Sequence, residues 1–343
     1  VGEKRVSLPA TPKGWAIRLT QILSAVQNTH GLPRFPIDVA ALAQDFSRQV
    51  FPDAPITMVG GLNLSKGVEG MLMPRPGGSG EWGIIYNETI RSPGRRNFTL
   101  AHELGHYLLH RRAHPGGLKC TNRNMADWDE ARNRIEGEAN TFASYLLMPL
   151  DDFREQIKGR VIDIDVMTEL SDRYAVSLTA AILKWMTITD KRAMIVVGKE
   201  GFIDWAWSSE PLLKSGVFYR ARQVVTELPP ASLAAQEVNW DTGRHGHHHP
   251  AGVWAGSEPV REMTVFSPGN EMSISLLLYP DRAIAVGDGR ARGGAHTRHV
   301  RQVHGRRSAL IRARNSLRQP WGRRSACADL RGATHKPRPP TRY

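Results

Sequence analysis

Cysteine is nearly absent from this chain. The 343 residues hold two, Cys120 and Cys327, far apart and outside any C-x-x-C spacing, which argues against a disulfide scaffold and against a cysteine-built zinc ribbon. Long apolar runs are absent too. No stretch of about 18 apolar residues occurs, so no membrane-spanning helix and no membrane partner is expected. The opening residues VGEKRVSLPATPKGW lack the apolar core of a secretory signal. The chain opens at Val1 rather than Met, consistent with a short missing leader. Together these features lead us to expect a cytoplasmic protein. Acidic residues are scarce at one end only. From Arg282 to Tyr343 there are 16 Lys and Arg against 2 Asp and Glu, so that tail carries +14 and the other 281 residues carry −1. The overall +13 therefore belongs to the tail and says nothing about a nucleic-acid surface on the folded part.

What is present suits a globular protein of two domains. Hydrophobic residues make up 41% and charged residues 23%, which is an ordinary balance. Apolar spacing predicts helices from Trp15 to Asn28, stopped by Gly31, and from Pro36 to Phe46, capped by Asp38. Strand-like stretches follow at Ile56–Leu64, Val68–Met73 and Trp82–Asn87, parted by Gly/Pro turns. Helices are expected from Arg96 to His110, from Asp129 to Met148, and across Val166 to Met186, with a polar loop holding Pro115-Gly116-Gly117 after the first of them. Beyond Asp190 the pattern turns to strands at Ala193–Val197, Phe202–Trp207, Met263–Phe266 and Met272–Tyr279. The expected organisation is an α+β domain over residues 1–189, a β-rich accessory domain over 190–281, and a basic tail over 282–343 whose composition predicts disorder.

The chemistry concentrates at His102-Glu103-Leu104-Gly105-His106. Histidines at i and i+4 share one helix face, about 6 Å apart along its axis. That spacing lets both imidazoles reach one zinc ion at about 2.0–2.1 Å. Glu103, next to the first ligand, is placed to act as general base on the attacking water. Phe98, Leu100, Ala101, Leu104, Leu108 and Leu109 make the helix apolar. Histidines and a glutamate buried there would cost several kcal/mol without partners, and a metal supplies them. A third ligand is still needed. His110 continues the row but lies about 12 Å along the axis from His102, too far to share the ion. The pattern with a third histidine six residues after the second also fails, because Leu109 and Arg112 hold the required positions. The downstream helix offers Asp129, Glu130, Glu136 and Glu138. Helical phase does not choose between Glu136 and Glu138, which both flank the stripe of Ile135, Ala139, Phe142, Ala143 and Leu146.

The run Arg96-Asn97-Phe98-Thr99-Leu100-Ala101-His102-Glu103-Leu104-Gly105-His106-Tyr107-Leu108-Leu109-His110, followed by Glu136-Gly137-Glu138-Ala139-Asn140-Thr141-Phe142-Ala143 and Leu146-Leu147-Met148-Pro149, resembles the ImmA/IrrE family of metallopeptidases. The resemblance is strongest from about Pro36 to Met186 and does not reach the tail. It implies a zincin-like fold, with a short sheet beside the active-site helix. It places the third zinc ligand on the Glu of the Glu-Ala-Asn motif, Glu138. It further implies an endopeptidase that cleaves helix-turn-helix repressors, relieving repression of mobile-element transfer or of stress responses. Asn140 matches the motif but receives no role.

A competing reading is a DNA-binding regulator built on the helices of 166–186, with the metal site structural or vestigial. The second of these helices offers chiefly Leu178, Thr179, Ala180, Ala181 and Lys184, which suits packing better than base readout. The basic tail could contact nucleic acid non-specifically through its charge. His245, His247, His248 and His249 could capture a divalent metal adventitiously, but with no carboxylate framework nearby an exposed loop is expected; Cys120 is expected as a plain small residue rather than a zinc-switch thiolate.

Overall fold

A computed structural model of the chain describes residues 8–121, 130–221, 223–267, 272–281 and 326–329. The fold is α+β, and it packs as two units that divide between Lys184 and Trp185. The first unit opens with helix α1 (Pro12–His30). The Thr11 hydroxyl accepts from the Gly14 N–H, Pro12 sits in the first turn, and Gly31, at φ 65°, ends the helix in the left-handed conformation. Helix α2 (Val39–Val50) is capped by Asp38, whose carboxylate accepts from the Ala41 N–H.

Strands β1 (Ile56–Leu62), β2 (Val68–Pro74) and β3 (Trp82–Asn87) form where alternation predicted them. A fourth strand, β4 (Leu118–Thr121), lies in the stretch read as a polar loop. The sheet order is β1-β3-β2-β4, with β1 parallel to β3 and the other pairs antiparallel. A further strand, β10 (Ala326–Asp329), adds antiparallel to β4. These four residues fall within the tail expected to lack structure and depart from that expectation. The rest of the tail, with its suggested nucleic-acid contact, lies outside the described residues.

Two helices carry the site. Helix α3 (Pro93–His110) starts at Ser92, whose hydroxyl accepts from the Arg95 N–H. Helix α4 (Glu130–Leu147) ends ahead of Pro149, which cannot continue it. The two helices approach closely at Gly105. A Cβ there would sit 2.9 Å from Phe142 Cδ1 and 3.2 Å from Ala139 Cα, so any side chain would push them apart. Phe142 and Leu146 are fully buried, each contributing roughly 1.5–3 kcal/mol. That contact fixes which face of α4 meets α3. Helices α5 (Leu150–Ile157), α6 (Ile164–Arg173) and α7 (Leu178–Met186) follow.

The second unit is built on one antiparallel sheet of β5 (Ala193–Lys199), β6 (Phe202–Ser208), β7 (His247–His249), β8 (Val260–Ser267) and β9 (Met272–Leu278), in the order β6-β5-β9-β8-β7. Its core includes Met194, Val196, Ile203, Trp254 and Leu277. The histidine run is not an exposed loop throughout. His249 is buried, with its Nε2 2.8 Å from Glu262 on the neighbouring strand. Sequence spacing hid that carboxylate because only the β7–β8 pairing brings it near. No described helix is long and apolar enough to cross a membrane.

Candidate metal centre

Helix α3 presents His102, Glu103 and His106 inward, and all three are buried. The Nε2 atoms of His102 and His106 lie 2.9 Å apart. From α4 the carboxylate of Glu136 reaches both rings, with Oε2 3.3 Å from His102 Nε2 and Oε1 3.4 Å from His106 Nε2. Glu136 is 1% exposed, and neither of its oxygens has a hydrogen-bond partner.

The far sides of the rings explain why. His102 Nδ1 lies 2.9 Å from Asn140 Oδ1, which can only accept, so His102 carries its proton on Nδ1. His106 Nδ1 lies 3.0 Å from His110 Nδ1, and His110 Nε2 lies 3.0 Å from Glu138 Oε2. Glu138 Oε2 accepts from the His110 Nε2–H, leaving His110 Nδ1 to accept from His106. Burial and the nearby His106 lower the His110 pKa to about 4, so that ring is neutral near pH 7. Both Nε2 lone pairs therefore face each other and the Glu136 carboxylate. Three acceptors converge in this buried spot, and a shared cation would serve all of them at once.

The distances suit a metal. Donors sharing a tetrahedral zinc at about 2.0–2.3 Å stand about 3.3–3.8 Å apart. The two histidine–glutamate separations fall in that range, and the histidine–histidine separation is shorter. Among the described residues, ligand atoms of His102, His106, Glu136 and Cys120 all lie within 4.8 Å of one another. Glu103 is wholly buried and runs under β2, where a Cβ on Gly70 would sit 2.7 Å from its Oε1.

The structure brings His102, Glu103 and His106 together as their spacing predicted. It puts Glu136 at the paired imidazoles, not Glu138. The side chain of Glu138 is 38% exposed and meets His110 instead. The rotation of α4 set by the Gly105–Ala139 contact explains this, since Glu136 and Asn140, one turn apart, both face the histidines. Asp129 and the side chain of Glu130 fall outside what is described. Sequence reasoning missed Asn140 as the partner of His102, and it weighed Cys120 as a zinc thiolate but favoured a plain small residue. The motif position of Asn140 was a signal that could have been used.

Residues 68–186 match the model of the Peptidase M78 family, described as an IrrE N-terminal-like domain. The matched segment spans β2 to the end of α7 and includes every residue of the cluster. No curated protein matches the chain. A solved structure titled "Mycobacterium tuberculosis transcriptional regulator" is similar at 13% identity over 76% of each chain, with a TM-score of 0.45. Likeness of that degree carries no conclusion about fold or function.

Proposed function

We propose that the chain is a zinc-dependent endopeptidase that cleaves a regulatory protein, a helix-turn-helix repressor by family resemblance. The observation that carries this reading is the convergence of His102, His106 and Glu136 with Glu103 beside the first histidine. In it, His102, His106 and Glu136 hold the ion. Bound zinc would acidify water and polarise the scissile carbonyl. Glu103 accepts the proton of the attacking water and returns it to the leaving amine. Asn140 and the His110–Glu138 pair orient the two imidazoles, as outer partners of metal-binding histidines generally do.

The DNA-binding alternative finds little support in α7, where only Leu178 and Thr179 are part-exposed. Ala180 through Met186 are all buried, and Lys184 has no exposed surface. That helix would have to leave its packing to reach a base edge.

Glu103→Gln tests the proposal. The variant should retain one metal ion per chain and show no cleavage of candidate repressors under conditions in which wild type cleaves them, read as fragments by mass spectrometry with and without chelator. Undiminished cleavage by Glu103→Gln, with contaminating protease excluded, would refute it.

A further inference from the structure

Cys120 lies on β4, opposite Gly70 of β2, on the short sheet that lies against α3. It is 2% exposed, and its Sγ is 3.5 Å from His102 Nε2. A nitrogen at about 2.05 Å and a sulfur at about 2.3 Å from one tetrahedral zinc are about 3.5 Å apart. The sulfur thus stands where a fourth donor would stand. A second observation points the same way: the buried Glu136 carboxylate, without a hydrogen-bond partner, is aimed into the same spot. Two nitrogens, one carboxylate oxygen and one sulfur make a donor set that zinc accepts readily. They also make a complete one. Zinc sites with four protein ligands are closed, whereas hydrolytic sites keep one position for water.

We propose that the Cys120 thiolate is the fourth protein ligand of this centre, so that the resting protein is latent. Hydrolysis then requires Cys120 to leave the ion and open the position that water needs. The inference rests on the reading of His102, His106 and Glu136 as metal ligands. It adds to that reading a regulation by the state of one sulfur. Modification of the thiol by an electrophile or binding that draws β4 away from α3 would each open the site without touching the other ligands.

The full chain reconstituted with cobalt(II) tests this by absorption. Wild type should bind one cobalt per chain and show a near-ultraviolet sulfur-to-cobalt charge-transfer band. Cys120→Ser should keep the cobalt and lose the band, while Cys327→Ser, which changes the other thiol, should keep both. A wild type that binds cobalt without the band would overturn the proposal and leave the three-ligand site standing. A band that survives in Cys120→Ser would do the same. A wild type that binds no cobalt and no zinc removes the site reading itself. Because a serine variant can fail to fold, alkylation of wild type gives an independent measure. With iodoacetamide and peptide mapping, Cys120 should be labelled at least tenfold more slowly in the metal-loaded protein than after chelation, and equal rates would count against ligation. Latency has its own readout. Zinc-loaded Cys120→Ser should cleave a generic unfolded protein at least tenfold faster than zinc-loaded wild type. If metal and charge-transfer results hold but the rate does not rise, the centre is structural and latency is overturned.

Discussion

Among the described residues, two buried histidine–glutamate clusters, one in each unit, are built on opposite plans. In the second unit Glu262 is saturated. It accepts from the Ala234 N–H, the Trp254 indole N–H and the Thr264 hydroxyl, and His249 lies 2.8 Å away. In the first unit Glu136 has no donor, and the two imidazoles beside it have turned their protons outward to Asn140 and His110. Burial is as complete in one as in the other. Burial of a carboxylate beside a histidine therefore does not identify a site. The balance of donors and acceptors does. A satisfied network ties strands together, whereas a set of convergent acceptors requires a cation.

The comparison breaks most sharply at the two glutamates themselves. Glu136→Gln should abolish stoichiometric metal binding, measured by equilibrium dialysis with elemental analysis, because one charged ligand is replaced by a weak neutral one. If Glu136→Gln still bound metal stoichiometrically and Glu138→Gln did not, the roles assigned to these residues would be reversed. Glu262→Ala should leave metal content unchanged and instead cost about 3–5 kcal/mol of stability, since it strips the acceptor from three buried donors at once. Urea unfolding of the second unit, followed by tryptophan fluorescence, would read that loss. A change in metal content would show that the clusters are not independent in the way described.

A finer test lies between the ligands and their supports. Glu138→Gln weakens the hold on the His110 proton, and through it the orientation of His106. Loss of such an outer partner typically costs about 10–100-fold in metal affinity, or roughly 1.4–2.7 kcal/mol. Competition with a chromogenic chelator would measure it, and an affinity equal to wild type would remove Glu138 and His110 from the support of the site.

The same contrast explains what was legible in the sequence. His102, Glu103 and His106 were readable because one helix turn sets their relation. The helices and strands of both units were largely readable for a similar reason, as their signals are local. Glu136 and Glu138 could not be separated by phase, since both border the apolar stripe of α4. The choice is made by Gly105 against Ala139, a contact between helices. Family resemblance pointed to Glu138, which reaches the site only through His110. Cys120 was hidden because a four-residue strand has too short an alternation to read, and its place beside His102 depends on pairing with β2. Glu262 was hidden in the same way by the β7–β8 register.

Lys184 supplies the smallest effect and a third case: a buried ammonium packed on an aromatic ring and a backbone carbonyl. Its ammonium stands 3.7 Å over the Tyr145 ring and donates to the Ser144 carbonyl at 3.4 Å. Burial, followed by the charges of Lys13 and Arg154, lowers its pKa from 10.5 to about 7. Below that value both the folded and the unfolded chain hold the proton, and the penalty is constant. Above it the folded chain releases the proton while the unfolded chain keeps it up to about 10.5, so stability rises with pH across this window. The slope reaches at most about 1.4 kcal/mol per pH unit. Lys184→Met keeps the volume and removes the titration. Urea unfolding of the first unit at about pH 7.5 and about pH 8.5 should show wild type gaining about 1 kcal/mol more than the variant. An equal gain in both proteins would mean that Lys184 stays charged where it is buried, with the Tyr145 ring and the Ser144 carbonyl sufficient to hold it.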